Sequence, residues 1–373
     1  MGQLDTVGPT QTGFGLNPDT VRAELVEALS FSSSAKAEQD FDRLSPNGRG
    51  YSVYPGWGRA ISVVPMRLLR SVFTITAAAL LTAGAAPANQ SPSTNPEGPH
   101  FSRAAAAAPI APPPATLRID PFYAKYIDAG GIPVLGSANA PDAALRVARA
   151  TMLEMLAKRP DIRARLVRQG VHVAVLAPDD AITDLPEHRD WKKPARDDPR
   201  LTTCELKNYA LIEAATDRDY WNARSRGSGG LLTAAGAENL LALPGDRYAG
   251  ENILVHEFAH AILTAIEEAD PKLYARVQRA YAHAVAAGKW KGDYAAVTVQ
   301  EYWAEGTQFW FDDNRLARLD DGPIVSDGDL KRYDPELWAA LAKVYRGHRI
   351  AADPWYLHPS RLNVPLGYKS ADC

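Results

Sequence analysis

Ile253-Leu254-Val255-His256-Glu257-Phe258-Ala259-His260-Ala261-Ile262-Leu263-Thr264-Ala265-Ile266 decides how this chain is read. Its apolar residues run almost all round a 3.6-residue repeat, the pattern of a helix buried on every side. Three polar residues interrupt that pattern. His256 and His260 are spaced i, i+4 and share one face, and Glu257 sits one step round from them. Left without partners in an apolar interior, such groups cost roughly 1–3 kcal/mol each. One metal ion satisfies both imidazoles at once, and the glutamate can then reach a water on that metal. The segment therefore reads as a metal site on a helix. Ordinary hydrogen bonding of three buried polar residues is the alternative.

A catalytic zinc site takes three protein donors and leaves a fourth position to water. One continuation of the motif would need Gly at 263 and His at 266, where this chain has Leu263 and Ile266. Of the other histidines, His283 falls on the next helical stretch as a surface residue. His348 and His358 lie far downstream without a supporting pattern. Glu301-Tyr302-Trp303-Ala304-Glu305-Gly306-Thr307-Gln308-Phe309-Trp310-Phe311 is the better source of a ligand. Glu301 and Glu305 are spaced i, i+4, Gln308 continues their face, and the remainder is strongly aromatic. Carboxylates in such company need partners. They have them if Glu301 binds the metal and Glu305 accepts the ring N–H of a ligating histidine, which fixes that ring's tautomer. Exchange of the two roles, or a solvated acidic stripe, stays open on spacing alone.

His256-Glu257-x-x-His260 followed by Glu301-x-x-x-Glu305 resembles the gluzincin metallopeptidases. Within them, the segment is similar to the catalytic domain of anthrax lethal factor and the Pro-Pro endopeptidases. The resemblance covers about residues 250–312. It implies a zincin-like fold, one catalytic zinc on His256, His260 and Glu301, and a bracing Glu305. Those relatives also carry a catalytic tyrosine seven residues before the ligand glutamate. Here that position is Tyr294, in Gly292-Asp293-Tyr294-Ala295-Ala296, with Tyr302 as a rival. The expected activity is zinc-dependent peptide-bond hydrolysis by an endopeptidase, with Glu257 as general base and a peptide or protein as substrate. The proline preference of the relatives has no counterpart in the residues and is not carried over. Two other classes stand beside this one: a zinc hydrolase acting on a non-peptide bond, and a non-catalytic binding module stabilised by zinc. The intact Glu257 speaks against the module, because a structural site needs no base.

Working outward, 131–135 reads as a short strand, 143–158 and 160–169 as helices, and 171–176 as a strand between Gly and Pro. That β-α-α-β opening predicts a sheet with helices packed on it. Residues 238–243 read as a further strand, one that could pair with an extended substrate. Arg226-Gly227-Ser228-Gly229-Gly230 reads as a loop, lacking the lysine and the strand-then-helix setting of a phosphate loop. From about residue 251 onward the chain is mostly helical. The class is α+β, with a small sheet and helices in an N-terminal lobe and a mostly helical C-terminal lobe. Asp312-Asp313-Asn314 and Asp320-Asp321-Gly322 read as turns, since neither matches an EF-hand loop.

The front of the chain reads differently. Met66-Arg67-Leu68-Leu69-Arg70 is basic, 71–85 is uncharged and apolar, and Ala86-Pro87-Ala88 fits a small-x-small exit. Together, 66–88 make a secretory signal peptide, with a membrane anchor as the alternative. Such a signal is read at an N-terminus, so Met66 is the expected start and 1–65 an over-extended one. Residues 89–117 are an Ala/Pro-rich spacer expected to be disordered, and 118–373 the zincin-like domain. The product is expected to be exported, periplasmic or secreted, with no membrane association after signal cleavage. An oxidising compartment permits a Cys204–Cys373 bridge, two unrelated thiols being the other possibility. The 373 residues are 46% apolar and 23% charged, which is globular usage. A net charge of −3 without a basic block speaks against nucleic-acid binding. Two cysteines exclude a four-cysteine zinc site and a disulfide-dense scaffold.

Overall fold

The computed structural model describes residues 109–362, with 199, 200, 202, 320 and 321 excepted. The segments 1–65 and 66–88, most of the spacer, Asp320, Asp321, Cys373 and the Cys204 side chain lie outside the described residues, and the Cys204–Cys373 pairing with them.

A five-stranded sheet organises the N-terminal lobe. Strands β1 (Lys125–Asp128) and β2 (Pro133–Gly136) form an antiparallel hairpin. Its turn needs the left-handed backbone of Gly130 and Gly131, whose N–H groups both donate to the Asp128 carboxylate. Helices α1 (Asp142–Met155) and α2 (Pro160–Gln169) follow, the second stopped by Gly170 in the left-handed region. They cross over to β3 (His172–Leu176), which lies parallel to β2. Three short helices come next: α3 (Thr203–Lys207), α4 (Tyr209–Ala214) and α5 (Asp217–Arg224). They lead to β4 (Gly227–Ser228), which turns back antiparallel onto β5 (Leu232–Gly236), itself parallel to β3. The sheet order is β1-β2-β3-β5-β4, so β4 is an edge.

Both faces of the sheet are covered, which explains the unbroken apolar run of β3. Val173 and Val175 turn to one face, where α1, α2 and the long helix α7 (Ile253–Ala269) pack. Ala174 and Leu176 turn to the other, against Ile182, Ile212, Tyr220 and Trp221. Ordered structure also begins before 118, earlier than the spacer reading allows. Ala111 exchanges backbone hydrogen bonds with Tyr126 of β1, and Ile110 packs on the core.

Two readings of the sequence are corrected here. Residues 238–243 are not a strand: α6 (Ala237–Leu240) ends there in a turn. The strand is the preceding Leu232-Thr233-Ala234-Ala235-Gly236, whose small side chains carry little β-signal but suit a strand buried on both faces. Glu238 is held in α6 by the buried guanidinium of Arg226, at 2.6 and 3.0 Å. The glycine-rich 226–230 stretch is not simply a loop, because Gly227–Ser228 is β4.

The C-terminal lobe is helical apart from a hairpin of β6 (Ala317–Leu319) and β7 (Gly322–Ile324). Helix α7 starts at Asn252, whose side chain accepts from the Val255 N–H, while Asn239 accepts from that of Ile253. Asp270 ends α7 and caps α8 (Pro271–Ala286), with proline at the first helical position. Helix α9 (Val299–Phe311) is capped by Thr298 and packs across α7. Helices α10 (Asp327–Tyr333) and α11 (Pro335–Tyr345) close the far side. Phe258, Ile262, Leu263 and Ile266 of α7 are wholly buried. Each is worth roughly 1.5–3 kcal/mol relative to exposure, so α7 is the common core of both lobes. Among the described residues, no helix is long and apolar enough to cross a membrane.

Candidate metal centre

One turn apart on α7, the rings of His256 and His260 meet edge to face with centroids 4.9 Å apart. Glu301 reaches them from the first turn of α9, where the Thr298 hydroxyl accepts from its N–H. One carboxylate oxygen lies 2.9 Å from His256 Nε2 and the other 3.2 Å from His260 Nε2. One donor atom from each of the three residues lies within 4.8 Å of the others, so the group could hold a metal ion. Zinc bonds of about 2.0–2.2 Å put neighbouring ligands of a tetrahedral site about 3.3–3.5 Å apart. The donor types and their separations fit that ion with little adjustment.

The charge balance of the site follows from burial. Burial works against a charged His256, but the Glu301 carboxylate beside it prevails and holds the ring well above the ordinary histidine range. For His260 burial wins and the pKa falls. Burial pushes the Glu257 carboxyl up to about 7, with His256 opposing and the charges of Glu301 and Glu251 adding. A carboxyl near neutrality can take up and release a proton at ordinary pH.

The remaining residues singled out in the sequence are placed as follows. Tyr294 opens a short 3₁₀ turn capped by Asp293, and its ring lies nearly parallel to His256, at 6.1 Å and 21°. Tyr302 is elsewhere: its hydroxyl donates to Asp334 in the buried interior, 2.7 Å away. Glu305 Oε1 lies 3.4 Å from His256 Nδ1, and its Oε2 accepts from Asn314 Nδ2 at 2.7 Å. The shorter contact of Nδ1 is to Gln308 Oε1, at 3.0 Å, while Glu305 at the longer distance still helps to raise the ring's pKa. His283 is exposed beside Glu336, His348 pairs with Glu154 and His358 with Ser360, all apart from the site.

Sequence reasoning passed over the strand that runs across this face. A Cβ at Gly227 would stand 2.8 Å from the Glu257 carboxylate, and one at Gly229 2.8 Å from the His260 ring. The backbone at 227 and 229 therefore lies directly on the two residues, with no room for a side chain at either position. Behind the site, Asp353 accepts from Asn252 Nδ2 and Trp355 N. The fully buried Asp313 lies against it. Burial, and then the charge of Asp353, hold the Asp313 carboxyl well above its usual range, so it keeps its proton.

No family model matches the chain, and no curated protein matches it. Among solved structures, the Pro-Pro endopeptidase PPEP-2 from Paenibacillus alvei is similar, at 17% identity, over 56% of this chain and 96% of that one. The TM-score is 0.35, too low for the likeness to carry any functional argument.

Proposed function

We propose that the chain is an exported zinc metalloendopeptidase of the gluzincin kind. The observation that carries this reading is the convergence of His256, His260 and Glu301 beside Glu257, under the open edge of β4. His256, His260 and Glu301 would hold the ion. Zinc in such a donor set lowers the pKa of a water to about 7 and polarises a carbonyl. Glu257 takes a proton from the attacking water and returns it to the leaving amine nitrogen. The Tyr294 hydroxyl donates to the oxygen on which negative charge develops. β4 receives an extended peptide along its outer edge through main-chain hydrogen bonds. Gly227 of β4 and Gly229 just beyond it keep this edge close to Glu257 and His260. Export rests on the signal-like 66–88, and sequencing the N-terminus of the mature protein tests it, a start near residue 89 being expected.

The deciding experiment offers a diverse peptide library to the zinc-loaded full-length protein, with Glu257→Gln in parallel. Cleavage by the wild type alone, at equal zinc content, is the expected result. A zinc-bound wild type that cuts nothing overturns the reading as a general endopeptidase and leaves one specific protein substrate or hydrolysis of a non-peptide bond. A variant as active as the wild type overturns the role of Glu257.

A further inference from the structure

We infer that Gln308, rather than Glu305, is the positioning residue that sets the tautomer and ring orientation of His256. The inference rests on the reading of His256, His260 and Glu301 as a metal site.

The argument is one of donors and acceptors. Gln308 is fully buried, and its two amide atoms face different partners. Its nitrogen lies 3.0 Å from the backbone oxygen of Asn252. That oxygen can only accept, so the NH₂ end must face it. Oε1 must then face His256 Nδ1, 3.0 Å away, and an amide oxygen can only accept as well. Nδ1 therefore carries the hydrogen. In the neutral ring the lone pair is then on Nε2, the atom 2.9 Å from the Glu301 carboxylate. Without metal, a proton on Nε2 fills that gap as an ion pair with Glu301; a metal ion that displaces this proton meets the Nε2 lone pair and the carboxylate together. One amide thus turns the ring into a donor aimed at the same point as Glu301.

The same amide ties the ring to its own helix. Asn252 is the N-cap of α7, with its N–H on the Asp313 carbonyl and its side chain on Asp353. A ring bonded to Gln308 is thus referenced to the capped start of its own helix, and swinging it away breaks the hydrogen bond to Gln308 Oε1. Glu305 lacks such an anchor to α7: at 3.4 Å it is outside good hydrogen-bond range of Nδ1, and its other oxygen is taken by Asn314. Gln308 is also neutral, so it orients the ring without adding a buried charge.

The test measures zinc affinity of the full-length protein by competition with a chromogenic chelator. Gln308→Leu is expected to weaken zinc by about 10–100-fold, the usual cost of losing such a partner. Glu305→Gln is expected to weaken it less than Gln308→Leu does. Should Gln308→Leu not fold, Gln308→Asn, which is too short to span both partners, is expected to show the same loss. In zinc-loaded protein labelled with ¹⁵N-histidine, the His256 Nδ1–H should exchange slowly in the wild type and quickly in the Gln308 variants. A mere packing role would not move that signal selectively. Unchanged affinity in the Gln308 variants, a larger loss in Glu305→Gln, or zinc on Nδ1 would overturn the inference. A wild type that binds no zinc would instead overturn the metal reading on which it rests.

Discussion

Helices α7 and α9 bring His256, Glu257, His260, Glu301 and Gln308 to the site, whereas β4 and the turn after it meet them with the backbone of Gly227 and Gly229. One side places atoms by filling positions at helical spacing. The other contributes by leaving positions empty. The helical side tolerates no change of chemistry, and the strand side no gain of volume. Substitutions on the two sides should therefore fail in different ways.

The largest effect is expected at the ligand. Glu301→Ala should reduce zinc content, measured by mass spectrometry of the purified protein, from stoichiometric to background and abolish turnover. Retained stoichiometric zinc would remove Glu301 from the ligand set. Tyr294→Phe should come next. It keeps the ring against His256 but deletes one donor, so kcat is expected to fall by about 10²–10³-fold with zinc content unchanged. A change confined to KM would make Tyr294 a binding residue. On the strand side, Gly227→Ala should displace Glu257 while leaving the ligands in place. We expect kcat to drop by about 10–100-fold through misplacement of the base. Overpacking costs of roughly 1–3 kcal/mol should show in urea unfolding. If kcat holds, β4 does not press on the base.

The smallest effect lies behind the site. The folded-state pKa of Asp313 is raised above its unfolded value of about 3.9. The folded protein thus keeps a proton that the unfolded chain has released. Its contribution to stability falls as pH rises through the window between the two values, and the penalty vanishes below the lower one. Asp313→Asn donates to Asp353 without titrating. It should resist urea better than the wild type at pH 8, by about 1 kcal/mol, with the difference closing toward pH 4. An equal pH slope in both proteins would show that Asp313 is ionised in the folded state.

The difference between the two sides also explains what could be read from the sequence. Side chains at i, i+4 leave a trace in spacing, so α7, α9 and the convergence of His256, His260 and Glu301 were legible. So were α1, α2 and β3, where periodicity and bounding Gly or Pro agree. β5 was not, because Ala235 is small enough to fit under α7, Ala234 is equally small on the opposite face, and neither gives a β-branched signal. The run 238–243 looked like a strand for want of any sign that Glu238 is tethered by Arg226. β4 was illegible for a deeper reason. A glycine needed for close approach and a glycine in a free turn are the same letter, and only the distance to Glu257 separates them. Gln308 stood on the right face, but its link to Asn252 spans 56 positions, beyond any local pattern.

The position of α7 between the two lobes has a consequence for backbone exchange with solvent. Amides in the middle of that helix are sealed by the sheet on one side and α9 on the other, so they should exchange only when the whole molecule opens. The two residues of β4 need only peel from β5 to exchange. Slowly and more rapidly exchanging amides thus face each other across a few ångströms. A ligand that pairs with β4 would therefore register in deuterium uptake at residues 227–229 while leaving 253–269 unmoved.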